Sequence, residues 1–393
     1  MPLPLYLLAV AVFAMGTSEF MLAGLVPDIA AGLDVSVGAA GLLTSAFAVG
    51  MIAGAPLMAV LARKWPVRTS LLCFVLVFAA THIVGALTEN FSVLLLTRVI
   101  AALANAGFLA VALSTAATLV TADQKGRALG VLLAGTTVAV IAGVPGGAVL
   151  GTMLGWRATF WAIALLCLPA VLGIVKGFPP RMRGTAQGAS AGSPLRNEIA
   201  QLAKPGLLLV MVLGSLVNAA TFAAFTFLAP IVTGTAGLGE LWVPVVLVLF
   251  GCGSFVGVTL AGRLSDQRPG LVIAGCGPML LLGWVALAIL AAQPVALLLL
   301  VFVQGALSFA LGGTLIARVL YEAVDAPTMG GSYATAALNI GAAGGPAVAA
   351  ATLGTSVSDL GPVWVSSLLV ALALLIALPF LRVVAPRVGQ AIR

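Results

Sequence analysis

Long apolar blocks alternate with short polar breaks along the whole of this chain. A helix needs about 20 apolar residues to cross the hydrocarbon of a bilayer. Blocks of that length predict helices over residues 4–26, 38–62, 69–87, 91–118, 127–150 and 156–176. A second set follows over 206–233, 241–262, 270–292, 295–318, 329–352 and 362–383. The expected fold is an all-α membrane protein, with twelve transmembrane helices in two six-helix bundles, 1–176 and 206–393. The longest polar stretch, 177–205, lies between them. It opens with Pro179 and Pro180, passes through a Gly/Ala/Ser-rich piece and ends in SPLRNEIAQLAKP. There Ser193 can cap a helix, Pro194 suits its first position, and Leu195, Ile199 and Leu202 fall on one face. Two readings stand for this linker: a cytoplasmic tether leading into a short amphipathic helix on the membrane surface, or an ordinary disordered connection.

Composition narrows the class. Hydrophobic residues make up 62% of the chain and charged residues 7%. A soluble domain of this length needs more charge on its surface. The formal charge of +7 is spread singly and in pairs between apolar blocks, so it excludes a nucleic-acid footprint and points instead to membrane topology. Cys73, Cys167, Cys252 and Cys276 all sit inside apolar blocks, where thiols behave as small hydrophobes. Neither a disulfide nor a metal site is expected of them. The first block has no basic n-region and no small-residue cleavage pattern, and reads as a retained span. With one histidine, no HExxH and no Cys/His cluster, an enzyme has little to work with and no cofactor is expected. No filter loop or selectivity ring indicates a channel.

Lysine and arginine set the orientation. With a cytoplasmic N-terminus, the inner loops and tail hold sixteen basic residues, among them Arg63, Lys64, Arg68, Lys125, Arg127, Lys176, Arg263, Arg268 and Arg318, while the outer loops hold only Arg157. The positive-inside bias then places both termini in the cytoplasm and the chain in the cytoplasmic membrane, as a monomer surrounded by lipid. The two halves also repeat. Pro27 in GLVPDIA and Pro230 in FLAPIVT stand 203 positions apart, and Pro145 of GVPGG is echoed by Pro346 of GGP.

One residue breaks the apolar pattern. Glu19 lies inside the first block, LPLYLLAVAVFAMGTSEFMLAGLV. An acid at the centre of a membrane helix costs about 2.5–3.5 kcal/mol on insertion scales, and such residues mark ion pathways. At 1.5 Å per residue, Glu19 falls about 22 Å along the first span, or about 8 Å below the outer edge of the hydrocarbon. Arg98 falls about 10 Å deep in the fourth span from the outer side, so the two are expected at similar heights. Burial disfavours a charged carboxylate and a nearby cation favours it, which lets Glu19 exchange a proton beside an arginine that stays charged. The competing reading is a static Glu19–Arg98 ion pair that only positions spans one and four. In the aligned second half Phe222 takes the place of Glu19, so coupling is expected in one half only. His82, the only histidine, reads first as a packing residue and second as a proton relay.

Several motifs resemble those of the major facilitator superfamily, which is built from two six-helix repeats joined by a cytoplasmic tether. Gly262, Leu264 and Asp266 of GRLSD match its Gly-x-Leu-x-Asp loop; in the first-half copy Ala59 and Arg63 replace the Gly and the Asp. Arg98 stands where the superfamily has its intramembrane arginine, followed by Ala101-Ala102 in place of the usual Gln-Gly. The GVPGGAVLG segment, with Gly143, Pro145 and Gly147, resembles the Gly-Pro motif of its drug–proton antiporters. Glycine allows that helix to approach a neighbour and Pro145 allows it to bend; the alternatives are plain packing and a leak seal. The segments FAMGTSEFMLAGLVPDIA, LLTSAFAVGM, ALANAGFLAVAL and GGSYATAALNIGAAGGP look like the actinobacterial chloramphenicol-resistance exporters.

The resemblance implies proton-driven efflux of chloramphenicol or a related phenicol by alternating access. The runner-up is a transporter of another small neutral metabolite such as a sugar. A neutral aromatic amide needs apolar and aromatic walls with a few polar groups. By depth, the candidates are Asn218, Thr221, Phe222, Phe225 and Thr226 in span seven, Gln304 and Ser308 in span ten, and Asn339 in span eleven. Asn218, Phe222, Phe225 and Thr226 follow i, i+4, i+7, i+8 spacing and share a face. Taken alone, each of these residues reads first as glue between helices and second as a drug contact.

Overall fold

In a computed structural model the described residues are 2–61, 65–119, 125–178, 198, 200–265, 269–326, 329–353 and 358–380. They form helices and turns, in two compact units, Met1–Ala189 and Ser190–Arg393. The first unit contains α1 (Leu3–Phe20), α2 (Val26–Gly32), α3 (Val37–Leu61), α4 (Val67–Leu87), α5 (Phe91–Thr118), α6 (Lys125–Val138), α7 (Val144–Leu154) and α8 (Trp156–Gly177). The second contains α9 (Pro205–Thr226), α10 (Trp242–Ser265), α11 (Pro269–Leu290), α12 (Pro294–Glu322), α13 (Gly330–Ala350) and α14 (Gly361–Ala377).

Eleven spans among the described residues are long and apolar enough to cross a membrane. The one remaining expected span, the eleventh at 329–352, forms as α13, where Gly, Ser, Thr and Asn dilute the hydropathy. Leucines and valines cover the outer faces: Leu76, Leu96, Leu165, Leu172, Leu282 and Leu299 are all more than half exposed. An apolar coat of this kind is stable only against lipid tails.

Three expected helices are broken where the sequence reads as continuous. The first span tightens into a 3₁₀ turn at Met21–Gly24, and a new short helix, α2, opens with Pro27 in its first turn. The fifth passes through a π-helical turn at Ala139–Gly143 between α6 and α7. The seventh stops at Thr226 and continues through Leu228–Pro230 into a π-helical turn at Ile231–Thr235. Such departures from i−4 pairing are frequent at functional sites.

The internal repeat is visible in the packing. In the first unit α3 crosses α5 with Gly50 set against the Val99 carbonyl and Gly54 against Leu103. In the second unit α10 crosses α12 with Gly253 against the Phe302 carbonyl and Gly257 against Ala306. Every member of the second set lies 203 positions after its counterpart. Glycines spaced by four place two backbones within reach of one another, which is how helices associate where no water drives them together.

Of the linker, residues 177–178, 198 and 200–205 fall among the described residues; Ser193, Pro194, Leu195 and Ile199 do not. Glu198 is buried within the second unit. Its carboxylate accepts the Met329 N–H at 2.9 Å, and its carbonyl accepts the Tyr333 hydroxyl at 2.7 Å. Lys204, before α9, pairs with Asp325, before α13, at 2.7 Å. This end of the connection is thus anchored at the start of α13.

Candidate functional site

The polar centre of the first unit is assembled by α1, α4 and α5. Asn90 begins α5: its side chain accepts the Ser92 and Val93 N–H groups at 2.9 and 3.2 Å, an N-cap that fixes the helix start two turns before Arg98. Arg98 is 1% exposed and lies over the Phe47 ring of α3, 4.5 Å from its centroid.

The guanidinium reaches α1 at Ser18, one residue before Glu19. Nη1 donates to the Ser18 hydroxyl and Nη2 to the Ser18 carbonyl, both at 2.8 Å. The adjacent turn supplies the reason. The Met21 N–H still bonds the Thr17 carbonyl, but from Met21 the backbone is 3₁₀. A change from i−4 to i−3 pairing makes a carbonyl available, and Arg98 takes that of Ser18. Glu19 and Arg98 form no ion pair, although each is within the other's electrostatic reach. The direct pairing expected from depth is therefore replaced by a bidentate bond to the neighbouring serine. Glu19 itself is partly buried in the last turn of α1.

His82 completes the centre. Its Nε2 lies 2.7 Å from the Ser18 hydroxyl and its Nδ1 2.7 Å from the Phe78 carbonyl. A carbonyl only accepts, so Nδ1 carries the proton. Ser18 uses its lone pair on Arg98, so its own hydrogen goes to Nε2. The bonds run in one direction: Arg98 to Ser18, Ser18 to His82, His82 to Phe78. The imidazole also packs on Phe78 and Phe160, with centroids 4.4 and 5.7 Å away.

The Gly-Pro segment touches the same turn. Gly143, last in the π-helical turn, lies against the Thr17 hydroxyl so closely that a Cβ would occupy its place. Pro145 follows in the first turn of α7, and the Gly147 carbonyl accepts the Thr159 hydroxyl at 2.8 Å.

In the second unit the corresponding place is aromatic. At the 203-residue offset Glu19 maps to Phe222, Phe47 to Phe250 and Arg98 to Val301. Phe222 meets Phe225 edge-on at 6.3 Å; Phe225 meets Phe250 at 4.7 Å, and Phe250 meets Phe309 edge-on at 6.1 Å. The repeat thus carries a charged centre in one copy and a row of rings in the other. Phe250 and Phe309 carry no separate sequence signal, because phenylalanine in an apolar block reads as packing.

The amide candidates are engaged with backbone. Asn218 donates to the Leu338 carbonyl of α13 at 2.7 Å, Gln304 to the Leu280 carbonyl of α11 at 3.1 Å, and Asn339 to the Thr335 carbonyl of its own helix at 2.9 Å. Thr221 donates to the Val217 carbonyl of its own helix at 2.9 Å. Gln304 Oε1 and the Thr226 and Ser308 hydroxyls have no partner. In the first unit the same holds for Thr44, Ser45 and Asn105 Oδ1, none of which stood out in the sequence. Gly262 lies near the end of α10, and Asp266 lies outside the described residues. A cavity of about 20 Å³ among Leu213, Ile273, Leu311 and Val370 is apolar and far too small for a drug-sized ligand.

The sequence profile of the Major Facilitator Superfamily matches residues 8–346. The chain belongs to that superfamily. It is a multi-pass membrane transporter and not an enzyme. It is 71% identical over 384 residues to a chloramphenicol resistance protein of Streptomyces lividans, an alignment covering 98% of this chain and 97% of that one. It is 33% identical over 357 residues to the inner membrane transport protein YdhP of Escherichia coli K12, covering 90% of each. Among solved structures, a bacterial homologue of the human lysosomal transporter Spinster, inward-facing and unoccupied, superposes with a TM-score of 0.76 at 16% identity, over 97% of this chain and 96% of the other. At that identity the likeness speaks for the fold alone.

Proposed function

We propose that this transporter exports chloramphenicol or a closely related phenicol from the cytoplasm, by alternating access and in exchange for protons. The observation that carries the reading is the 71% identity, over nearly the full length of both chains, to a protein named for chloramphenicol resistance. In this reading the protein sits in the cytoplasmic membrane with both termini inside, which the bias of basic residues towards one set of loops supports, and works as a monomer. Glu19 is the proton carrier and Arg98 the fixed cation beside it. A neutral, ring-bearing drug meets the aromatic row Phe222–Phe225–Phe250 and the unpartnered hydroxyl of Thr226, while Gln304, packed against Gly283 and bonded to the Leu280 carbonyl, holds α12 on α11. Asn218 is assigned chiefly to holding α9 on α13, and Asn339 to a bond within its own helix. Gly143, Pro145 and Gly147 shape the turn beside Glu19, and Gly262 with Asp266 forms the loop after α10.

Expression in a drug-sensitive bacterium tests the reading. Chloramphenicol tolerance rises, cellular accumulation of the drug falls, and a protonophore abolishes the fall. Unchanged accumulation, or chemically altered drug in the medium, contradicts it. Accumulation of phenicols unchanged while that of a sugar or other neutral metabolite changes would favour the alternative cargo.

A further inference from the structure

The charged centre contains two side chains that proton exchange at Glu19 does not itself require. Ser18 is fully buried and His82 is 1% exposed. They are joined to Arg98 by a chain of hydrogen bonds whose direction is fixed at both ends. The Phe78 carbonyl forces the proton onto His82 Nδ1. Nε2 is then an acceptor, and it fixes the Ser18 hydrogen. The serine lone pair is left facing Arg98 Nη1, and the Ser18 carbonyl takes Nη2. Arg98 is thereby held on the residue before Glu19. Its Nε–H, equally buried, has no partner.

We propose that Ser18 and His82 are positioning residues for proton coupling: they hold Arg98 on Ser18 while Glu19 is neutral and yield it to the Glu19 carboxylate once the proton has left. The proposal rests on the proton-coupling reading above. Two seats on adjacent residues give the guanidinium two discrete arrangements, which is what a switch needs. The seat on Ser18 keeps a permanent cation from pairing continuously with Glu19. Were that pair permanent, the acid would keep its charge and would not reload. Because the His82 tautomer sets the direction of the Ser18 hydroxyl, the imidazole acts through Arg98 without touching the proton or the drug.

The other described ionisable groups of α4 and α8 stand apart from this chain. Arg157 donates to the Thr88 carbonyl and stacks on Trp156. Lys176 and Arg68 lie at the ends of α8 and α4 away from the centre. Cys167 is buried on α8, and Cys73 is exposed on α4.

Purified protein in liposomes separates positioning from packing. Two activities are read with chloramphenicol: efflux driven by a pH gradient, and drug-for-drug exchange with no gradient, which needs no net proton movement. The variants are Ser18→Ala, which removes the hydroxyl; His82→Phe, which keeps a ring between Phe78 and Phe160 but offers no acceptor; and Ser18→Thr and His82→Gln, which retain a hydroxyl and an acceptor. Loss of a buried hydrogen bond to a charged group lowers gradient-driven efflux by about tenfold in Ser18→Ala and His82→Phe. Exchange and thermal midpoint stay close to the parent, and Ser18→Thr and His82→Gln recover most of the efflux.

Normal driven efflux in Ser18→Ala overturns the proposal, and so does a parallel fall of efflux, exchange and thermal midpoint in both variants. Normal efflux in His82→Phe alone overturns the assignment of His82. Glu19→Gln, assayed beside them, tells the two readings apart. If it still pumps uphill, the proton-coupling reading is what fails; if it does not, and Ser18→Ala behaves as the parent, only the positioning proposal fails.

Discussion

Glu19→Gln is expected to abolish uphill efflux and to weaken drug binding without removing it, because a side chain locked neutral resembles the protonated acid. The substitution keeps the size of the side chain and leaves it able to hydrogen-bond, but the amide can neither take up nor release a proton and never carries the negative charge. No second carboxylate stands in the apolar part of α1, and the matching position in the second unit is Phe222. Neither α1 nor the matching position of the second unit therefore supplies a substitute carrier. Proton-transfer groups typically contribute a factor of about 10²–10⁴, so gradient-driven chloramphenicol efflux should fall at least about a hundredfold in liposomes. Gradient-free exchange should persist at saturating drug, because it needs no net proton movement. A Glu19→Gln protein that still concentrates drug against its gradient would remove Glu19 from the mechanism.

Gly143→Val is the second large effect. The Cβ alone would fall where the Thr17 hydroxyl lies, and that hydroxyl already donates to the Phe13 carbonyl at 2.8 Å. Two further methyl groups must displace α1 at the turn that carries Ser18 and Glu19. Overpacking of this kind costs about 1–3 kcal/mol, seen as a lower thermal midpoint in detergent. Transport should fall further than stability, because the displaced turn is the one to which Arg98 is bonded. Pro145→Ala is milder, since Pro145 stands in the first turn of α7, where proline is tolerated. Equal transport by Gly143→Val and the parent would show that the close approach to Thr17 has no part in the cycle.

The spans were legible because a bilayer imposes one length and one polarity on every helix that crosses it. Glu19 and Arg98 were legible for the same reason: charge at depth is anomalous, and an anomaly needs no knowledge of neighbours. The repeat offset, read from two prolines, returns in the glycine crossings Gly50–Val99 and Gly253–Phe302. Ser18 and His82 were not legible as a pair. Serine is ordinary in membrane helices and a single histidine reads as packing; their meaning lies in which side chains, 64 and 80 positions away from Ser18, face them. The breaks at Met21 and Ala139 were hidden because Leu, Ala and Val continue through them without change of composition. Asn218 and Gln304 stood out as polar groups at depth, but sequence cannot say whether an amide in a helix faces cargo or a neighbouring carbonyl.

The central claim is that drug and proton are linked through Glu19, and linkage is reciprocal: if proton loss favours drug binding, drug binding must release protons. The direct measurement is the pH change on adding chloramphenicol to purified protein in weakly buffered detergent solution near neutral pH. The account predicts acidification that saturates with drug occupancy in the parent protein and is missing from Glu19→Gln, although that variant still binds the drug. Drug binding with no proton release from the parent, or the same release from Glu19→Gln, would contradict it.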